Sequence, residues 1–235
     1  MTWIHVYSAD LGALSARACY SLLDESEKQR ASAIVERNAR CEFVKTRAIL
    51  RLVLSGYAGA SASALPLGYG RFGKPMLLGN SQVHFNVSHS AGVALVAISS
   101  SEVGVDIEHV AAGTDLLGAA QSVFSRSEVD LLVTTPVPQQ ADVFFSIWTR
   151  KEAYLKATGR GFSSQLGEIS ALSPGGLIED ETSERTWYVL DVPAPAGFKA
   201  AVVSSSRSKM GVVDITDMAR SAIKAQAPHL PRRAH

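Results

Sequence analysis

Asp106 and Glu108 stand two residues apart in the run Val103-Gly104-Val105-Asp106-Ile107-Glu108. Strand side chains alternate between faces, so Val105 and Ile107 turn to a core while both acids share the other face. Side by side they repel unless a cation lies between them. Such a pair is the kind of hard-oxygen site that holds Mg²⁺ beside substrate phosphates. A strand with a solvated acidic face fits the same pattern. A third acid sits in the stretch from Phe144 to Phe162, which reads as an amphipathic helix running into a Gly-x-Gly loop. Apolar Phe144, Ile147 and Leu155 recur at helical spacing and Gly159 follows the last of them. At i, i+4 spacing Trp148, Glu152 and Lys156 lie along one face, a carboxylate one turn from a cation and from an aromatic ring. Taken alone, this describes an ordinary surface helix with a Glu/Lys pair.

Cations gather earlier, at Lys28, Arg30, Arg37, Arg40, Lys45, Arg47 and Arg51. They are either a solvated helix face or an anion site, and the second becomes attractive beside a phosphate-bearing ligand. In Arg71-Phe72-Gly73-Lys74-Pro75 the glycine permits close backbone approach and the proline fixes direction, which pins Arg71 and Lys74; a simple turn fits equally well. Over Val83–Ser90, Phe85 and Val87 share one strand face while Asn86, Ser88 and Ser90 line the other. Ser88-His89 is not a hydrolase pair, because adjacent strand residues point apart and no GxSxG elbow surrounds the serine. A histidine between two hydroxyls suits a phosphate contact, or is a satisfied histidine.

These residues need elements to hold them. The chain has 235 residues, 46% hydrophobic and 19% charged, with net charge +1, which is the balance of a folded globular protein with no field driving it onto nucleic acid or membrane. The opening MTWIHVYSAD is unlike a signal peptide, and no apolar run approaches the length of a membrane span. Cys19 and Cys41 have neither disulfide-framework nor zinc spacing, so a reducing cytoplasm is expected. Strands are expected at Trp3–Tyr7, Val83–Ser90, Ala94–Ile98, Gly104–Glu108, Ile169–Leu172, Trp187–Leu190, Lys199–Val203 and Met210–Ile215. Helices are expected after Ser15, over Asn38–Tyr57 ending near Gly56, over Leu116–Phe124, over Ser127–Val133 behind a Ser125/Glu128 capping box, and over Thr216–Ala225. Thr134–Gln140 reads as a break, and Glu179–Glu184 as an exposed loop.

An internal echo organises the elements. Ala91–Ser101 aligns without gaps on Ala196–Ser206, GVDI at Gly104 on GVVDI at Gly211, and, more weakly, Thr46-Arg47 on Thr149-Arg150 with Gly56 falling on Gly159. The expected fold is α+β: a pseudo-twofold pair of halves, each a helix packed on a small antiparallel sheet. Residues 1–102 form the first half, 103–226 the second with the acid pair, and 227–235 a disordered tail. A site is then expected at the seam.

Together, Gly73-Lys74-Pro75, Phe85-Asn86-Val87-Ser88-His89-Ser90, Gly104-Val105-Asp106-Ile107-Glu108 and Trp148-Thr149-Arg150-Lys151-Glu152-Ala153 with Lys156 and Gly159-Arg160-Gly161 resemble the Sfp-type 4′-phosphopantetheinyl transferases, in the branch with Trp and Lys-Glu-Ala. The resemblance implies an enzyme that binds coenzyme A and Mg²⁺ between its halves and moves the phosphopantetheine arm to a serine of an apo acyl, polyketide or peptidyl carrier protein, releasing 3′,5′-ADP. It implies Asp106, Glu108 and Glu152 as Mg²⁺ ligands, and Lys151 or Lys156 at the leaving phosphate. The general base is Glu152, directly or through water, or else Glu108. Lys74, Ser88 and His89 are implied near the 3′-phosphate with Arg47 and Lys28 toward the nucleotide; Arg71, Gly73 and Pro75 line the coenzyme, and Gly161 passes the pantetheine arm. The carrier is implied to dock against Leu116–Phe124. A monomer is expected, with no nucleic-acid or membrane partner. Two other readings share the residues: a non-catalytic coenzyme A module, and a metal-dependent phosphohydrolase.

Overall fold

The computed structural model describes residues 2–226 apart from 71–72, 80–81, 112–114, 160–163, 173–175 and 181–182. The alternation at Trp3 becomes strand β1 (Trp3–Asp10), and Ser15, accepting from the Ala18 amide, caps the short helix α1 (Ala16–Tyr20). Asp24 and Glu27 form a reciprocal capping box on α2 (Glu25–Ala33). Helix α3 (Arg37–Ala58) runs 22 residues and closes on Gly59 at φ 63°, a left-handed cap that glycine adopts without a Cβ penalty. A two-stranded ribbon, β2 (Leu67–Tyr69) with β3 (Pro75–Leu77), leads into the hairpin β4 (His84–Ser90) and β5 (Val93–Ser99).

The order then repeats. Strand β6 (Val103–His109) is followed by α4 (Leu116–Val123), by α5 (Arg126–Thr134) with its Ser125/Glu128 capping box, and by α6 (Val137–Thr158), again 22 residues and again closed by a left-handed glycine, Gly159. Strand β7 (Leu177–Asp180) and the hairpin β8 (Arg185–Asp191) and β9 (Phe198–Ser204) complete the second copy, and β10 (Lys209–Asp214) and α7 (Thr216–Gln226) follow. The helix caps set the register of the echo, so Gly159 answers to Gly59 rather than to Gly56. The expected break at Thr134–Gln140 shrinks to Thr135 and Pro136, because Pro136 takes the N-cap of α6 and Pro138 its first turn, where a missing N–H leaves no bond unmade. Ile169–Leu172 is not a strand; it follows a 3₁₀ turn at Ser164–Glu168. The acidic run begins inside β7, which pairs with β8.

The sheets have the orders β10-β1-β5-β4 and β6-β9-β8-β7. Their inner faces meet: Ile4, Val6, Leu95 and Ala97 of the first pack with Val103, Val105, Ile107 and Val202 of the second. Helix α3 covers the outer face of the first with Ala48, Ile49 and Leu54, and α6 that of the second with Ala153, Tyr154 and Ala157. The boundary near 102 separates the sheets, yet residues 209–226 return to the first half. There β10 lies parallel to β1, and Ile215, Ala219 and Ile223 enter the first core. The proposed tail at 227–235 lies outside the described residues.

Candidate active site

Strands β4 and β6 are edge strands lying beside each other, and an edge leaves backbone groups to be satisfied. Side chains of β4 do this for β6. Asn86 Oδ1 accepts from the Val105 amide at 3.0 Å, and Ser90 Oγ from the His109 amide at 3.2 Å. The polar row of β4 therefore faces the seam, and Asn86 and Ser88 are buried. The same hydroxyls reach the acid pair: Ser88 Oγ donates to Asp106 Oδ1 at 2.9 Å and Ser90 Oγ to Glu108 Oε2 at 2.9 Å.

Helix α6 brings the other charges. A Cβ on Gly104 would run into the Ala153 carbonyl and the Ala157 amide, so glycine on β6 is what lets the helix lie this close. In its last turn Lys156 Nζ donates to Asp106 Oδ1 at 2.6 Å and Ser88 Oγ at 2.8 Å. One and two turns earlier on that face, Glu152 lines the adjoining cleft and the Trp148 side chain hydrogen-bonds Glu108. Burial raises the pKa of Asp106 against the pull of the Lys156 ammonium. Burial, then the charge of Asp106, raises Glu108 and Glu152 as well, with Lys156 opposing both. Asp106 Oδ2 is buried and has no hydrogen-bond partner.

From Glu152 and Lys156 a cleft of about 320 Å³ runs past Asn86 to Arg47, walled by Gly73, Lys74 and Pro75. The Arg47 guanidinium lies 5.4 Å from the Phe43 ring centre and 5.7 Å from that of Tyr69, with Nη1 buried and unpartnered. Arg30 stands over the same rings. His89 leaves the opposite face of β4 toward α3, 3.7 Å from Glu42; burial lowers its pKa while Glu42 works the other way. Carboxylates crossed by one ammonium, at the end of a cation-bearing cleft, suit a polyphosphate whose transfer needs charge neutralised and a proton moved.

A family model described as the 4′-phosphopantetheinyl transferase superfamily matches residues 102–203. The 4′-phosphopantetheinyl transferase HetI of Nostoc sp. is 36% identical over 185 residues, 77% of each chain. The chain belongs to the 4′-phosphopantetheinyl transferase superfamily. The transferase Sfp of Bacillus subtilis is 29% identical over 160 residues, 67% of this chain and 70% of its own. As a member of that superfamily this protein is a transferase, and its mixed helix–sheet fold agrees with the expectation.

Of the residues singled out in the sequence of this transferase, Ser88, Asp106, Glu108, Glu152 and Lys156 come together at the seam, with Arg47, Gly73, Lys74 and Pro75 around the same cleft. Lys28 stays on the surface of α2, 2.7 Å from Glu25 and above the Tyr20 ring. Lys151, expected against a phosphate, points into the second half. It lies 2.7 Å from Glu128 and donates to the carbonyls of Val123, Leu166 and Ile169. One residue before Glu152 is about 100° around a helix, so the two neighbours cannot serve one site. Lys74 Nζ is likewise engaged, with the carbonyls of Val103, Lys156 and Ala157, and burial lowers its pKa to about 8. Arg71 and Gly161 lie outside the described residues. Sequence reasoning missed the edge-capping work of Asn86 and Ser90 and the close approach at Gly104. Their signals were the unbroken polar row on β4 and a glycine facing the same side as Asp106.

The residues pass a test for a hard divalent cation in chemistry though not in ready-made geometry. The donors are carboxylate oxygens, the charge of Asp106 raises the pKa of Glu108 and Glu152, and one Asp106 oxygen is buried without a partner. Among the described residues, no three His, Cys, Asp or Glu side chains stand close enough together to hold an ion as they are.

Proposed function

We propose that this transferase moves the 4′-phosphopantetheine arm of coenzyme A to the serine of an apo acyl, polyketide or peptidyl carrier protein. The observation that carries the reading is Lys156 bridging Ser88 and Asp106, flanked by Glu108 and Glu152, at one end of a cleft that holds Arg47 at the other. Arg47, with its free Nη1, and His89 and Ser88 bind the nucleotide phosphates. The carrier serine Oγ attacks the phosphorus bearing pantetheine, the bond from that phosphorus to 3′,5′-ADP breaks, and Lys156 stabilises the departing phosphate. The serine proton passes to Glu152, directly or through water, or to Glu108; their raised pKa suits proton acceptance. Asp106, Glu108 and Glu152 would hold Mg²⁺, which supplies charge neutralisation at the pyrophosphate. The carrier docks against Leu116–Phe124, where Leu117 is exposed, and the exposed Arg126 that opens α5 is a cation that steers an acidic partner. One chain is the working unit, and the cytoplasm its setting. Among the described residues no helix is long and apolar enough to cross a membrane.

The test is intact mass. Purified protein with coenzyme A and Mg²⁺ is expected to add a phosphopantetheine mass to at least one of a panel of apo carriers, and a chelator to stop it. No mass change on any carrier sinks the proposal.

A further inference from the structure

Lys74 belongs to the first half, but its side chain ends in the second. Its backbone is fixed by a tight turn: the Gly73 amide donates to the Gly70 carbonyl and the Gly70 amide to the Lys74 carbonyl, both at 2.9 Å, with Gly73 at φ 77°, and Pro75 opens β3. From there Nζ crosses the seam to Val103 O at 3.1 Å, Lys156 O at 2.6 Å and Ala157 O at 3.3 Å. Val103 O is an outward carbonyl of the β6 edge. The other two belong to the last turn of α6, where carbonyls have no amide ahead of them and a cation complements the helix dipole. An ammonium has three N–H donors and no acceptor, so these bonds exhaust it.

We infer that Lys74 is a positioning residue that braces the last turn of α6 from the opposite half, and is not a ligand of the coenzyme phosphates. The carbonyl it holds most closely is that of Lys156, whose own Nζ must fall between Asp106 and Ser88. Fixing that carbonyl fixes the root of the side chain. Lys74 and Pro75, with Gly159 at the end of α6, are also the wall between the 320 Å³ cleft and a second cleft of about 700 Å³, so the brace keeps the partition in place. The inference rests on the transferase reading for its kinetic consequence only.

Two measurements test it. Amine-reactive labelling of the wild-type protein without coenzyme, read by peptide mass, should find Lys74 modified at least about tenfold more slowly than the partly exposed Lys28, with no change when coenzyme A is added. Labelling as fast as Lys28, or protection that appears only with coenzyme A, overturns the brace, and neither outcome depends on whether the protein transfers anything. The second measurement compares Lys74→Met and Lys74→Gln with coenzyme A and 3′-dephospho-coenzyme A as donors. Lys74→Met should lower kcat about tenfold by the same factor with both donors, KM for each changing less than about twofold, because misplacement of Lys156 is felt in the chemical step. Lys74→Gln, which keeps N–H donors without charge, should recover part of the loss. A loss confined to the donor carrying the 3′-phosphate, or no loss in either variant, overturns the inference. Should both variants fail to fold, the labelling result decides.

Discussion

Where the second half keeps Asp106 and Lys156, the first half keeps Tyr7 and Tyr57. The correspondence follows from strand register. Tyr7 pairs with Val96 and Asp106 with Ala201, and Val96 and Ala201 are matched positions of the internal repeat. Both pairs join the helix-facing side of the strand to the last turn of a 22-residue helix, Tyr57 one residue past the position that answers to Lys156. One pair meets through hydroxyls 2.7 Å apart and the other through an ion pair at 2.6 Å. The residue matching Gly104 is His5, which stacks on Trp3 at 4.5 Å and reaches the Tyr57 hydroxyl at 2.7 Å. Aromatic bulk holds α3 off β1, while Gly104 lets α6 down onto β6. Outside β1 lies β10, whereas outside β6, among the described residues, lie side chains of β4 and of Lys74 in place of a strand. A charge walled in by β-sheet on both sides has nothing to neutralise it and is costly to bury; one at an open edge can meet a ligand. On the proposed function, the duplicated scaffold does its chemistry on the copy whose edge was left open.

What the halves share is equally informative. In each, the N3 glutamate of a capping box is fully buried against a cation from the long helix: Glu27 with Arg51 at 2.5 Å, Glu128 with Lys151 at 2.7 Å. These clamps are common to both copies, and the proposed site lies where the copies differ.

The largest expected effect breaks the first comparison. Asp106→Asn should lower transfer roughly 10³-fold, while Tyr7→Phe at the matching place leaves it within about twofold; equal losses in a carrier-mass assay would erase the distinction between the halves. The clamps come next. Glu128→Ala should destabilise the protein by about 3–5 kcal/mol, since it strands the buried Lys151, and Glu27→Ala by less, since Arg51 keeps its pair with Asp24. Removing both members together, as in Glu128→Leu with Lys151→Met, should recover most of the larger loss. Urea unfolding measures both, and a double variant worse than either single one contradicts the clamp. Gly104→Ala should cut kcat about tenfold to a hundredfold by lifting α6, with His5→Ala nearly silent. The smallest effect belongs to His89. Desolvation lowers its pKa below the ordinary 6.5, though the side chain is 39% exposed and the effect is correspondingly small, so the unfolded chain takes the proton first. The His89 contribution to stability should therefore be level above pH 6.5 and decline slightly as pH falls below it, and His89→Gln should remove that part of the decline.

Much of this was legible in the sequence because it is local. Alternation gave β1, β4, β5 and β6, and the Ser125/Glu128 capping box is realised as written. The acids and lysine that meet at the seam were each marked by their spacing. What the sequence hid is where a side chain goes once elements pack. Lys151 and Lys156 are chemically alike in the sequence until Glu128 claims the first and Asp106 the second. Lys74 looked like a phosphate ligand because the helix end that absorbs it lies more than eighty residues away in the chain. Residues 209–226 read as the end of the second half, since nothing local announces a parallel partner at the other end of the sequence.

That parallel pairing bears on how the molecule is made. Ser8 cannot meet Asp214 until the chain between them has been synthesised, so the first sheet waits for its outer strand through nearly all of translation. Yet β10, then α7 packed against β1, then β1 itself is the order of a strand–helix–strand crossover, in which parallel neighbours are joined locally. A circular permutant that begins with β10 and α7 and runs on into β1 would turn the most distant contact in the protein into one of its nearest, and should fold faster with the seam unaltered.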